Sequence, residues 1–180
     1  MTNILNSILA AASLTIAMGI GTAGGAKAAE DKAPEADAAP TLEFAFEENV
    51  TLAKGIPVGK TAMGTRIIIP ITGGTFEGPK IKGTIMPGGW DWQLVRADGC
   101  THIKADYMIK TDDGAIINVV NQGSACRGED GKPIPLRTVP IFEPPLGKYE
   151  WLGKYTFVGT LVPSNEGGRA AVKIRFYQVK

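Results

Sequence analysis

The chain has 180 residues, with 19 Lys and Arg against 18 Asp and Glu, and its formal net charge is +1. This balance excludes a strongly basic surface of the kind that binds nucleic acid or an anionic membrane, and the length suits a single domain. The 23 Gly and 12 Pro residues favour many short strands joined by turns over long helices.

Residues 1–28 are predicted to form an export signal peptide. Residues 4–20 are mostly apolar, and Ala26-Lys27-Ala28 gives a small-x-small cleavage pattern. No Lys or Arg precedes the apolar run, and an uncleaved membrane anchor is the alternative, although the run is short for a stable span. We therefore expect a periplasmic or secreted protein with no stable membrane span after cleavage. Residues 29–40 have no large apolar side chain and are predicted to be a disordered leader, which leaves 41–180 as one domain.

The remaining chain is predicted to be all-β. Apolar residues alternate at Leu42, Phe44 and Phe46, which is typical of a half-buried strand. Further strands are predicted at 50–58, 66–72, 79–86, 90–96, 103–110, 115–122, 136–142, 155–162 and 170–179, with one helical turn at 149–152. We expect an antiparallel β-barrel of about 8–10 short strands, because sequential strands rich in bulge-forming glycines suit barrel closure. A β-sandwich is the alternative.

A hairpin turn at residues 111–114 predicts a disulfide. The sequence Thr-Asp-Asp-Gly there lies between two predicted strands. If 112–114 form a three-residue loop, the strand register brings Cys100 opposite Cys126. An even cysteine count in an exported chain implies a bridge. A redox-active pair is the alternative, but the C-x-x-C spacing typical of that chemistry is absent from the sequence.

The turn Pro87-Gly88-Gly89 precedes the strongest candidate for catalysis. Side chains alternate along a strand, so Asp91 and Gln93 share one face of the strand that follows. If this face points inward, Asp91 is a general acid or base whose pKa is raised by burial, and Gln93 contacts the substrate. A carboxylate that caps the glycine turn is the alternative.

The hairpin register predicts two polar side chains inside the barrel. Tyr107 and Asn121 share an apolar face with their neighbours, so both should point inward. Buried phenol and amide groups need hydrogen-bond partners. They either form a structural network or orient a substrate, with Tyr107 as a catalytic candidate and Asn121 as a binding candidate.

Four further residues are candidates for substrate binding. Arg66 and Arg127 have the geometry to hold a carboxylate or phenolate by paired hydrogen bonds, and surface ion pairs are the alternative. Glu77 is a second acid near a glycine turn, or a solvated turn residue. Trp151 either covers the barrel mouth or packs beneath it. The single histidine and the paired cysteines predict no metal centre, and no phosphate-binding glycine loop precedes a predicted helix, so we expect no cofactor.

Four segments resemble a bacterial family known as domain of unknown function 3237, or uncharacterised protein family 0311. They read GGTFEG at 73–78, PGG-x-DWQ at 87–93, TDDG at 111–114 and FVGT at 157–160. The resemblance runs from about Leu42 to Val179 and implies a compact antiparallel barrel that self-associates, as a homodimer for example. The signal peptide, the leader and the two cysteines depart from the common domain, and so does Asp106, where a basic residue is expected.

These observations predict a small-molecule-binding barrel in one of three roles. The first is a cofactor-independent lyase or isomerase that moves a proton on a small aromatic or carbonyl compound through Asp91. The second is a carrier of an apolar ligand, which needs the pocket but no titrating acid. The third is a structural domain of the cell envelope, whose interior would be filled by its own side chains.

Overall fold

A computed structural model describes residues 39–180 of the chain. The predicted signal peptide, and the predicted leader up to residue 38, lie outside the described residues. Ten strands and one short helix form the described part, and their bounds are β1 Leu42–Leu52, β2 Ile56–Thr61, β3 Gly64–Glu77, β4 Lys82–Ile85, β5 Trp90–Val95, β6 Thr101–Thr111, β7 Ile116–Ala125, β8 Arg137–Glu143, α1 Trp151–Lys154, β9 Phe157–Glu166 and β10 Arg169–Val179.

The strands close into an antiparallel barrel with eight positions around its wall. β1 and β2 both pair with one edge of the long strand β3, and β4 and β5 both pair with its other edge. The wall continues through β6, β7, β8, β9 and β10, and β10 pairs with β1 to complete the circuit. The predicted all-β barrel is therefore confirmed, although the sequence did not show that two pairs of strands share positions.

A bulge near the start of β1 changes which of its side chains face the barrel interior. The pairing of β1 with β10 shifts register between Phe44 and Phe46. Leu42 and Phe44 consequently lie exposed, whereas Phe46, Glu48 and Val50 alternate into the interior. One inserted residue moves the following side chains to the opposite face, because alternation along a strand has a period of two. The sequence prediction placed Leu42 and Phe44 on the same face as Phe46, and this was wrong.

Glycine in the middle of β3 lets two strands approach closely. Gly74 has a φ of 136°, and a Cβ atom there would lie 1.9 Å from the carbonyl oxygen of Asn49 in β1. No other residue type fits this contact without moving the backbone. Gly74 therefore lies in the half of β3 that pairs with β1 and β4, whereas the other half pairs with β2 and β5.

One end of the barrel is filled by aromatic rings and covered by α1. Phe46, Phe142 and Phe176 pack with ring centroids 5.0–5.6 Å apart, and Phe157 lies 5.2 Å from Phe142. Leu152 of α1 is buried against this cluster. We call this the closed end. Aromatic packing of this kind contributes free energy beyond the area it buries.

Asp113 joins the hairpin turn to the closed end. Its carboxylate accepts hydrogen bonds from Thr111 Oγ1 at 2.5 Å, Tyr149 Oη at 2.8 Å and Lys148 Nζ at 2.7 Å. The hydrogen bond from Lys148, followed by those from Thr111 and Tyr149, holds the pKa of Asp113 well below its usual range. The predicted role of Asp113 as a turn residue is therefore extended to an anchor for the segment before α1.

We expect Asp113→Asn to lower stability at neutral pH and to leave it almost unchanged in strong acid. A carboxyl whose folded-state pKa is depressed stabilises the fold above its unfolded pKa of about 3.9, and this contribution is lost as the pH falls. Thermal unfolding followed across this acid range checks the result. Asp112→Asn is the matched control, because Asp112 is exposed and forms only a surface ion pair with Lys82 at 3.2 Å. Equal effects of the two substitutions at neutral pH would contradict the anchoring role.

Cys100 and Cys126 form the predicted disulfide, with Cα atoms 4.4 Å apart. The hairpin register that predicted it is also confirmed, since Lys110 pairs with Ile116 and Thr101 pairs with Ala125. The bridge joins the outer ends of β6 and β7 and should stabilise the protein by about 2–4 kcal/mol. A formed disulfide is compatible with an oxidising, exported location.

Two tryptophans lie on the outer face of the barrel. Trp90 and Trp92 are 40% and 41% exposed. They are therefore not part of the barrel interior, and self-association through this face stays a prediction. In the described part of the chain, the helix is too short and insufficiently apolar to cross a membrane.

Candidate active site

A cavity of about 210 Å³ occupies the barrel half opposite the closed end. Thr101 and Ala125, next to the disulfide, lie on its wall, so the bridge fixes the rim at this end. Much of the wall is apolar and includes Val50, Ile71, Ile103, Leu136, Leu161 and Ile174. Such a mixture of apolar surface with a few polar groups is typical of small-molecule sites.

Asp91 is a titratable group on the cavity wall. β5 holds it between Ile69 of β3 and Ala105 of β6. Gln93 Nε2 donates a hydrogen bond of 2.8 Å to Asp91 Oδ2, whereas Oδ1 is buried without a hydrogen-bond partner. Burial raises the pKa of Asp91, and hydrogen bonding from Gln93 and from the backbone N–H of Lys104 opposes part of this rise. Asp91 therefore keeps its proton to a higher pH than an exposed aspartate does, which suits a general acid.

The turn before β5 aims Asp91 inward. Gly89 packs against β6 so closely that a Cβ atom there would lie 2.4 Å from Tyr107 Cβ. The carbonyl oxygen of Gly89 accepts a hydrogen bond of 2.8 Å from the backbone N–H of Ile71. β5 is thus held on both edges from its first residue, so the carboxyl direction is set by backbone pairing.

Asn121 lies in the same cross-strand row as Asp91. Asp91 pairs with Ala105, and Ala105 pairs with Asn121 on β7. Asn121 is 4% exposed, and its Oδ1 is buried without a hydrogen-bond partner. The only side chain between the carboxyl and the amide in this row is the methyl group of Ala105, so a ligand lying above it can reach both.

Tyr107 lies at the inner end of the cavity, and its hydroxyl is already engaged. Tyr107 Oη donates a hydrogen bond of 2.5 Å to Glu48 Oε2, and Glu48 is fully buried. Burial raises the pKa of Glu48 to about 8, while the bond from Tyr107 lowers it in part. Burial, followed by the nearby Glu48, raises the pKa of Tyr107 well above its usual range. The phenol therefore stays protonated at neutral pH and offers its ring, not a free base, to the cavity.

Four predicted binding residues lie away from the cavity. Arg66 is on β3 and pairs with Leu94, on the strand face opposite Asp91. Arg127 donates a hydrogen bond of 2.8 Å to the carbonyl oxygen of Gly131 in an outer loop. Glu77 is exposed on an outer groove, as a solvated turn residue would be, and Trp151 packs 5.8 Å from Phe157 at the closed end.

The cavity wall has no positive charge. Among residues 39–180, none of those that line it is Lys, Arg or His. Within the same residues, no group of three or more His, Cys, Asp or Glu side chains is arranged to hold a metal ion. The chemistry of the wall is therefore that of one carboxyl, amides, hydroxyls and apolar surface.

Residues 40–179 match the family described as Protein of unknown function (DUF3237). The chain belongs to the DUF3237 family. This DUF3237 protein is 38% identical over 135 residues to a UPF0311 protein of Rhodopseudomonas palustris, a match that covers 67% of this chain and 88% of the relative. It is 32% identical over 127 residues to the hydroalkoxylation enzyme phnH of Penicillium herquei, with 71% of this chain and 78% of the relative covered. The crystal structure of a β-barrel-like protein from Acinetobacter baumannii is similar, with a TM-score of 0.69 and 34% identity over 79% of this chain and 98% of that one.

Glu48 is the residue of this DUF3237 protein that sequence reasoning missed. The signal was present, because Phe46, Glu48 and Val50 have the spacing of one strand face. Ending the first predicted strand near Phe46 and starting another at Val50 hid this alternation. An acidic residue that lies between apolar residues on the same strand face indicates a buried carboxyl group.

Proposed function

We propose that this protein is a cofactor-independent acid–base enzyme of the lyase type. Its reaction adds a hydroxyl group of a small organic substrate across a carbon–carbon double bond, or removes it in the reverse direction. The observation that carries the proposal is the Asp91 carboxyl on an apolar cavity wall, with one oxygen held by Gln93 and the other unpaired. The name of the Penicillium herquei relative, a hydroalkoxylation enzyme, supports this reaction class.

Asp91 acts in both proton transfers of the addition. The protonated carboxyl gives its proton to one alkene carbon, so a C–H bond forms as the π bond breaks. The hydroxyl oxygen then donates a lone pair to the other carbon, and a C–O bond forms. The proton released from this oxygen returns to Asp91. Every atom and electron is conserved between substrate and product, and the carboxyl ends in its starting state.

The surroundings of Asp91 favour this chemistry. Burial keeps the carboxyl protonated to higher pH, because the charged form is poorly solvated. The hydrogen bond from Gln93 fixes one oxygen and leaves the other to meet the substrate. A largely apolar wall also limits competing addition of water.

An exported location and self-association belong to the same proposal. The formed disulfide at the cavity rim supports function in an oxidising compartment. The exposed Trp90 and Trp92 support contact with a second copy of the chain. Size-exclusion chromatography with light scattering on the chain lacking residues 1–28 measures the oligomeric state.

The reaction is tested with probes that close a ring by adding a phenol across a double bond. Ortho-allylphenol and an ortho-hydroxyphenyl propenyl ketone each have one ring and the required two groups. In deuterated water, the wild-type protein should accelerate ring closure and introduce one deuterium at carbon, which NMR detects. The proposed reaction would be refuted if both probes closed at the background rate and their cyclic products opened at the background rate.

A carrier of an apolar ligand is the second candidate. The apolar wall of the cavity favours it. A carrier binds ligand and turns nothing over, and its affinity should not depend on the ability of Asp91 to lose a proton. A purely structural domain was expected to have an interior filled by its own side chains. The cavity argues against that role.

A further inference from the structure

Asn121 is a buried amide that the proposed proton transfers do not use. Its side chain is 4% exposed, lines the cavity and has an Oδ1 atom without a hydrogen-bond partner. A buried acceptor without a partner lowers stability, and such groups are rare in folded proteins. A ligand that donates a hydrogen bond to Oδ1 would remove this penalty.

We propose that Asn121 is the second anchor of the substrate, and that the cavity selects neutral, single-ring compounds with a free hydroxyl group. The inference rests on the proposed function, because it concerns the substrate of the same site. A hydroxyl group that does not react donates to Asn121 Oδ1, and the opposite side of the ring, which carries the reacting hydroxyl and the double bond, lies against Asp91.

The strand register gives the spacing between the two anchors. Asp91 and Asn121 lie on β5 and β7, on either side of Ala105 in β6. Their backbones are therefore two strand spacings apart, roughly 10 Å. Both side chains point into the barrel, and the small Ala105 leaves the space between them open. A flat ring fits this gap, whereas a bulkier residue in place of Ala105 would fill it.

Cavity size limits the ligand to about one ring. An engineered cavity of roughly 150 Å³ binds benzene. The cavity here, at about 210 Å³, leaves room for one ring with short substituents. Compounds of three or more fused rings would extend beyond this volume.

Charge decides which single-ring compounds are accepted. Within the described residues, the wall has no cationic side chain, and Asp91 adds negative charge when ionised. A carboxylate moved from water into this cavity loses its hydration without gaining a positive partner, so its binding is strongly disfavoured. Aromatic acids are therefore excluded, although they belonged to the ligands that Arg66 and Arg127 were predicted to bind.

Calorimetry with three matched compounds tests this selectivity. Para-cresol has a free hydroxyl, para-methylanisole has the same oxygen capped by a methyl group, and para-hydroxybenzoate adds a negative charge. Wild-type protein should bind para-cresol about tenfold more tightly than para-methylanisole, since one hydrogen bond distinguishes them. It should bind para-hydroxybenzoate more weakly than either compound.

Variants of β7 assign the preference to one residue. Asn121→Leu should remove the preference for para-cresol and keep affinity for para-methylanisole. Asn118→Leu is the matched control, because Asn118 lies on the same strand with its side chain on the outer face. Ala105→Val should lower the affinity for both neutral compounds, because the larger side chain fills the space between Asp91 and Asn121. This variant tests the position of the ring even if Asn121→Leu folds poorly.

Two results would overturn the inference. One is an unchanged preference for para-cresol in folded Asn121→Leu, and the other is binding of para-hydroxybenzoate as tight as that of para-cresol. Failure of the proposed reaction is separate, because it appears as absent ring closure while the binding preferences remain. Asp91→Asn, measured in the same assay, should retain the preference for para-cresol.

Discussion

Asp91→Asn is expected to lower the rate of probe ring closure by about 100- to 10,000-fold, the range in which a positioned general acid or base contributes. Asparagine has the same shape and still accepts the hydrogen bond from Gln93, but it has no proton to exchange with carbon. The affinity for neutral ligands should change little. Initial rates by NMR or absorbance, together with calorimetric binding, check both parts.

The loss of rate should not come from unfolding. Burial raises the pKa of Asp91, so its ionised form lowers stability at neutral pH, and the substitution removes that ionised form. Asp106→Asn is the matched control, because Asp106 pairs with Trp90 on the outer face of the neighbouring strand. A folded Asp91→Asn protein that closes the probe ring at the wild-type rate would leave the carrier as the better explanation.

The pH dependence of the wild-type rate follows from the same carboxyl. Because Asp91 acts first as an acid, the rate should fall as the pH rises through its folded-state pKa. That midpoint should lie above about 3.9, the value for an exposed aspartate. A midpoint at or below this value would mean that Asp91 is solvated during turnover, which contradicts its burial in the cavity wall.

Local signals in the sequence were sufficient for the hairpin and for the inward aim of Asp91. The Thr-Asp-Asp-Gly turn fixes the register of β6 and β7, and with it the pairing of Cys100 and Cys126. Alternation after Gly88 and Gly89 puts Asp91 and Gln93 on one strand face. These features depend on residues close together in the chain, where turn chemistry and side-chain period are decisive.

Other features depend on contacts between strands that are distant in sequence, and local sequence patterns did not predict them. The bulge near Phe44 reverses the face of β1, and only pairing with β10 reveals it. Arg66 and Trp151 are suitable binding residues by type, but Arg66 lies on the outer face of β3 and Trp151 lies on α1 at the closed end. Tyr107 was correctly predicted to face inward, whereas its hydroxyl partner, Glu48, comes from a strand distant in sequence.

Glu48→Gln is expected to remove most of the pH dependence of stability between about pH 4.5 and 8. The carboxyl of Glu48 has a pKa raised to about 8 in the fold, because burial disfavours its charged form. Between the two pKa values, the folded state holds a proton that the unfolded state has released. Unfolding then releases a proton, so wild-type stability falls as the pH rises, by roughly 4 kcal/mol over the whole window.

Glutamine stays neutral throughout and keeps an oxygen that accepts the hydrogen bond from Tyr107. The variant should therefore be close to wild type in stability at pH 4.5, or slightly weaker because its amide N–H groups are buried without acceptors. At pH 8 it should be the more stable protein. Urea unfolding at several pH values measures the crossing of the two curves.

Glu47→Gln provides a control of opposite sign on the adjacent residue. Glu47 faces outward, where Arg175 Nε lies 2.5 Å and Lys173 Nζ lies 3.1 Å from its carboxylate oxygens. The hydrogen bond from Arg175 is the main cause of a lowered pKa for Glu47. Its stabilising effect is present above the unfolded pKa and fades in acid, so Glu47→Gln should weaken the protein at neutral pH and not in strong acid. Parallel stability curves for wild type and Glu48→Gln across the window would show that Glu48 is solvated, and the buried pair with Tyr107 would then be wrong.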